Sequence, residues 1–324
     1  MKAIAAILFA VSLVSSLNAA DLRIGIIGCD TSHVTAFTEN LNNPNAKDHV
    51  PGGKVVAAYK GGSPDIPESA NRLEGYVKTL TEKHGVKMYD SVEEMCANVD
   101  AVLLESLDGR PKLEQLKPVL AAKKRVFVDK PMAGSLHDVI EIFAVAKKAK
   151  VPIFSSSALR FASNTQSAHH GAIGTVANAE TYGPCEKERH HPDLFWYGIH
   201  GVEALYAVMG SGCVSVQRTN TPDGKIQVIG RWGKGREGVY TEEKNFHGSA
   251  RGTKGGAAVG SFDGYVPLVK EIMKFFETGV APVEPKETIE IFAFMEAADL
   301  SKEKGGEPVK IREAMANAQK AKRL

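Results

Sequence analysis

Leu22-Arg23-Ile24-Gly25-Ile26-Ile27-Gly28-Cys29-Asp30-Thr31-Ser32-His33 decides the fold. A short apolar run that ends in glycine is a strand buried on both faces, as a parallel sheet requires. Similar runs recur at Lys54–Tyr59, Lys87–Tyr89, Ala101–Glu105, Arg125–Asp129 and Pro152–Phe154. Helical stretches fall at Ser91–Ala97, Pro111–Lys124 and Leu136–Lys150. Strands alternating with helices predict an α/β, doubly wound, Rossmann-like parallel sheet with right-handed crossovers.

After about Ser157 the pattern changes. Thr175–Tyr182, Val214–Thr219, Lys225–Trp232 and Gly238–Thr241 read as strands of a larger, mostly antiparallel sheet. Helices are expected at Gly198–Met209, Tyr265–Thr278 and Lys286–Lys304, and in a basic, Ala-rich tail from Ile311 to Leu324. The expected organisation is a signal segment over 1–20, a Rossmann-like domain over 21–157 and an α/β substrate and oligomerisation domain over 158–324. A length of 324 residues suits two domains.

Residues 1–20 have the grammar of a secretory signal. Met1-Lys2 is a basic start, Ala3 to Val14 is apolar apart from Ser12, and Ala19-Ala20 precede Asp21. The run is shorter than the ~20 residues of a membrane span. No Arg-Arg pair precedes it, so a Sec-type route to the periplasm or the exterior is expected, with no membrane span. Lys plus Arg number 40 against 38 acidic residues. That balance gives no broad basic field, so nucleic acid is not an expected partner. The four cysteines exclude a disulfide scaffold, and the sequence does not pair them.

The turn after the first strand stands where a dinucleotide fold places G-x-G-x-x-G. Gly28 keeps the first glycine; Asp30 takes the second position and His33 the third. The ribose-binding acid expected after the second strand is replaced by Tyr59-Lys60. In one reading Lys60 and Ser63 hold a 2′-phosphate and the cofactor is NADP. In the other the loop binds no nucleotide, and Asp30, Thr31, Ser32 and His33 line the crevice for another purpose. Under either, Asp30 is expected to cap the following helix.

Val128-Asp129-Lys130-Pro131 is similar to the E-K-P signature of the Gfo/Idh/MocA family of sugar and inositol oxidoreductases, with Asp for Glu. Phe275-Phe276-Glu277-Thr278-Gly279, Pro282-Val283, Glu296-Ala297-Ala298 and Ser301 to Gly306 resemble that family's closing segment. The likeness runs from about Leu22 to Ile311. It implies NAD or NADP held by Gly28, Asp30, Thr31, Ser32, His33, Lys60, Ser106 and Asp129. It implies a lysine, Lys130, that meets nicotinamide and substrate, and a catalytic base at His200. Trp196 stands where the family carries an aspartate, and Glu203 where a second acid often sits. A small carbohydrate substrate and a homo-oligomer are also implied.

The chemistry of the residues agrees with that pairing. An imidazole takes a proton near neutrality, and an ammonium stabilises a developing oxyanion. Arg160, Asp193, Tyr197 and Glu203 are candidate substrate contacts. His190, His191, Asp193 and His200 could supply metal ligands, though their spacing matches no known motif. Three readings follow. The first is a secreted oxidoreductase acting on a sugar through Lys130 and His200. The second is a nucleotide-independent carbohydrate lyase, hydrolase or isomerase, with or without a metal. The third is a sugar-binding protein without turnover.

Overall fold

The structure, a computed structural model, describes residues 20–321. The expected signal segment lies outside the described residues except for Ala20.

The first half is the doubly wound sheet. Its elements are β1 (Leu22–Ile27), α1 (Ser32–Asn42), β2 (Gly53–Tyr59), α2 (Pro67–Lys78), β3 (Lys87–Tyr89), α3 (Val92–Ala97), β4 (Ala101–Leu104), α4 (Lys112–Ala121), β5 (Arg125–Val128), α5 (Leu136–Ala149) and β6 (Ile153–Phe154). The order is β3-β2-β1-β4-β5-β6, all pairs parallel. β4 is buried at every position, because helices cover both faces. Ser91 and Ser135 cap α3 and α5 by accepting a first-turn N–H, as N-cap serines do. β1 stops at Gly28, which has φ +85°. A Cβ there would meet the Ser106 Cα at 2.4 Å, so only glycine fits.

The second half runs α6 (Ser163–His169), β7 (Val176–Gly183), α7 (Ile199–Met209), β8 (Cys213–Asn220), β9 (Ile226–Trp232), β10 (Glu237–Glu242), β11 (His247–Gly252), β12 (Gly255–Ala258), α8 (Val266–Thr278), α9 (Pro285–Glu303), β13 (Val309–Lys310) and α10 (Ile311–Lys320). Its sheet has the order β12-β11-β7-β10-β9-β8-β13. Every pair is antiparallel except β7 with β10. α7 and α9 pack on this sheet and are buried along most of their length. α8 returns to the first sheet: Leu268, Ile272, Phe275 and Phe276 share a core with Ile24, Phe127 and Phe154. Arg125 at the start of β5 donates to the last carbonyls of α8, at Phe276 and Glu277. That return fixes the two sheets against each other.

The four cysteines are buried free thiols. Among the described residues no helix is long and apolar enough to cross a membrane.

Candidate active site

A cleft of about 410 Å³ opens at the carboxyl ends of β1, β4 and β5, with α7 and the second sheet as its far wall. That is where open α/β sheets place their sites. Thr31, Ser32, His33, Lys130, Tyr197 and His200 all line it. These are six of the residues expected from sequence, drawn from three distant segments.

Lys130 follows β5, and its ammonium lies 5.2 Å from the centre of the Tyr197 ring. Burial pulls its pKa below the usual lysine value, and Asp129 opposes that shift. His200 is in the first turn of α7. Its Nδ1 is 2.7 Å from Ser157 Oγ, and its ring meets Tyr197 edge-on. Burial, then the neighbouring charges of Lys130 and His33, hold its pKa well below 6.5. His200 is therefore neutral at pH 7 and carries one nitrogen lone pair. With Nδ1–H donating to Ser157, Nε2 is a base; with Ser157 donating to Nδ1, Nε2–H is an acid.

Asp129 lies beneath this wall. Its carboxylate is 2.6 Å from His33 Nδ1 and accepts the Lys130 N–H at 2.8 Å. Burial disfavours its charge, but His33, Lys112 and Lys130 outweigh burial and hold its pKa near 2. Lys112 was not singled out from sequence. Fully buried, it donates to the carbonyls of Asp129 at 2.7 Å and Pro131 at 2.9 Å. It thus holds the backbone that presents Lys130.

Other expected residues lie elsewhere. Arg160 and Glu203 form a buried ion pair beside the cleft, extended to Glu287 and Ser156. Asp193 is held by Arg218 at 2.7 Å and Lys302 at 2.8 Å. His190 and His191 both bond Glu188, at 2.8 and 2.7 Å. His190, His191, Asp193 and His200 therefore do not converge. Among the described residues no cluster of three or more His, Cys, Asp or Glu could hold a metal. Sequence reasoning missed Glu68 and Arg72 of α2, Phe246, Phe262 and Tyr265, which also line the cleft. The four-residue spacing of Glu68 and Arg72, which pair on one helix face, was the available signal.

Asp30 does not cap α1. Thr31 does, accepting from the His33 N–H. The fully buried Asp30 carboxylate instead accepts the Leu107 N–H at 2.9 Å and the Ser69 hydroxyl at 2.6 Å. Asp30→Gly strands both donors. It should destabilise the chain by about 2–4 kcal/mol, from the ~1–3 kcal/mol cost of each unpaired buried group. Denaturant unfolding checks this; an unchanged midpoint would contradict the role.

Residues 22–157 match the sequence model of the Gfo/Idh/MocA oxidoreductase family, NAD-binding Rossmann fold. Over those residues the chain is similar to that family. No curated protein matches the sequence. Several solved structures share this fold across both halves. A probable dehydrogenase from Thermotoga maritima has TM-score 0.72 at 23% identity, covering 90% of this chain and 100% of its own. Scyllo-inositol dehydrogenase from Lactobacillus casei, with bound NAD(H) and scyllo-inositol, gives 0.70 at 14%, covering 90% and 99%. An oxidoreductase from Agrobacterium radiobacter, in complex with NAD+, L-tartaric acid and magnesium, gives 0.69 at 14%, covering 90% and 99%.

The residues around the first turn of this chain are engaged with one another. A pyrophosphate needs glycine backbone to approach and free N–H groups to hold it. Here Asp30 places a carboxylate in that position and occupies the Leu107 N–H. The loop after β2 closes onto the first turn: Cys29 N–H donates to the Lys60 carbonyl at 2.8 Å. A Cβ on Gly61 would meet the Gly28 Cα at 3.0 Å. Lys60 is paired with Glu74, Ser63 Oγ donates to Asp108 at 2.7 Å, and Ser106 Oγ donates to Gln115 at 2.8 Å. Gly28, Asp30, Lys60 and Ser106 are thus bonded to the protein itself and do not line the cleft.

Proposed function

We propose that this protein is a carbohydrate enzyme that works by proton transfer, with Lys130 and His200 as its pair and no exchangeable nicotinamide. One observation carries the reading. A lysine amine and an imidazole line one cleft, while the Asp30 carboxylate stands in the second glycine position of the turn and takes the Leu107 N–H. His200 moves a proton to or from a carbon or hydroxyl of the substrate. Lys130 stabilises the charge that develops on the neighbouring oxygen, and Asp129 favours its ammonium form. Tyr197, Phe246, Phe262 and Tyr265 offer flat apolar faces to a sugar ring and restrict water. Export, proposed from residues 1–20, agrees, because an exchangeable nicotinamide is scarce outside the cytoplasm.

Hydride transfer with NAD or NADP is the second reading, and the family match favours it. One experiment separates the two. The purified protein is denatured and the supernatant searched for nucleotide by mass spectrometry. The native protein is then titrated with NAD and NADP by calorimetry. The expected result is no released nucleotide and no heat of binding at millimolar concentration. A stoichiometric nucleotide would overturn the proposal and make sugar oxidation the next assay. In the proton-transfer case His200→Gln should lower turnover by about 10²-fold or more.

A further inference from the structure

We infer that His33, backed by Asp129, is a second proton-transfer group of this cleft, and that the substrate class is a keto-sugar or keto-polyol. The inference rests on the proton-transfer reading above and specifies its substrate.

His33 stands in the third glycine position of the turn, where a dinucleotide fold needs close packing of helix on strand. Here the position holds an imidazole built into its surroundings. The ring stacks on Phe37 at 5.1 Å and meets Tyr265 edge-on at 4.8 Å. Asp129 fixes it from below at 2.6 Å. Asp129 is itself fixed, since it accepts the Lys130 N–H and its own carbonyl is held by Lys112. In its neutral form an imidazole that donates Nδ1–H to a carboxylate presents Nε2 as a lone pair. The His33 ring lines the cleft, and its Nε2 has no hydrogen-bond partner among the described residues. The titratable groups around it are Asp129, Lys130, His200 and Tyr265.

Two imidazoles therefore reach the cleft from the two halves of the molecule, His33 from α1 and His200 from α7, with Lys130 on the same lining. That set suits chemistry beside a carbonyl. One imidazole takes the proton from the carbon next to the ketone. The C–H electron pair becomes the enolate, whose oxygen is stabilised by the Lys130 ammonium. The imidazolium so formed returns a proton to that carbon, directly or after exchange with water, and the carbonyl re-forms. No oxidant or reductant is consumed, so the step needs no nucleotide. A ketone must be supplied by a separate oxidation of a sugar or polyol hydroxyl.

The test uses the whole chain in two measurements. In the first, histidine 15N shifts report which nitrogens of His33 carry a proton. The Nδ1–H form is expected, and Asp129→Asn should redistribute it. A wild-type Nε2–H form would overturn the assignment of His33 alone. In the second, deuterium exchange at the α-carbons of 2-keto-myo-inositol and 3-keto-glucose is followed by proton NMR in D2O. Wild type is expected to exchange them. His33→Gln should slow exchange by about 10²-fold or more, with binding of the same ketone changed by less than about threefold. Exchange at the wild-type rate in His33→Gln would overturn the inference. A wild type that exchanges neither compound would count against the keto-sugar class, whatever the tautomer of His33.

Discussion

Lys130→Ala is expected to lower kcat/KM by about 10²–10³-fold, the scale of removing one preorganised donor to a developing oxyanion. The physical case is local. The amine is nine-tenths buried, so its field is little screened by water. Its ring neighbour Tyr197 and its backbone neighbour Asp129 hold it on the cleft wall. The loss should fall mainly in kcat, because the charge it meets is present only in the transition state. Stability should change little, since removing a desolvated amine also removes its burial cost. Lys130→Arg should not restore the rate, because a planar fork does not fit the place of a compact ammonium. Steady-state kinetics on whichever carbohydrate the wild type converts, with a melting curve of each variant, decides the matter. Undiminished turnover in Lys130→Ala would remove the lysine from the mechanism.

Lys112→Met is expected to destabilise the fold by about 3 kcal/mol. Methionine is of similar length but donates nothing, so the carbonyls of Asp129 and Pro131 lose their partner. Each stranded buried group costs ~1–3 kcal/mol. Asp129 also loses one of the cations that keep it charged, which pushes the same way. Relief of the lysine's own burial offsets only part of this. In a chain of this size the melting temperature should fall by roughly 6–12 °C. The pH dependence carries a second signature. Burial pulls the Lys112 pKa down to about 8, against ~10.4 when unfolded. Between those values the unfolded chain binds more protons, so this group makes stability rise with pH. Below about pH 8 its penalty is fully present. Lys112→Met should lose that rise, and melting curves between pH 7 and 10 would show it. A variant as stable as wild type would mean that Lys112 does not support the 129–131 segment.

Much of the first sheet was legible because its strands are buried on both faces. Their apolar runs stand out against the helices, and Ala101–Leu104 and Arg125–Val128 fell within a residue of expectation. The second sheet was legible only in part. β11 and β12 were missed, since His247–Gly252 and Gly255–Ala258 form a glycine-rich hairpin at one end of the sheet without apolar alternation. α2 was missed too; only Ser69 of its residues is buried, so it shows no apolar stripe. The unread Glu68 and Arg72 of the cleft belong to it.

The site divides in the same way. Lys130 and His200, singled out from short motifs at strand and helix ends, both line the cleft. Asp193 and Arg160 looked equally suitable, but a carboxylate or guanidinium in sequence does not show its partner. Arg218 and Lys302 take the first, and Glu203 with Glu287 the second.

By itself the sequence determined the two-sheet architecture and the loss of the glycine turn, and it pointed to a candidate amine and imidazole, because apolar periodicity and short motifs are local properties. Only the tertiary structure decided what replaced the glycines. Asp30 became a buried clamp on Leu107 and Ser69, His33 the partner of Asp129, and Lys112 a hidden prop for Lys130. The physical reason is that a buried polar group is defined by the group that satisfies it. Those partners lie 17 to 96 residues away along the chain.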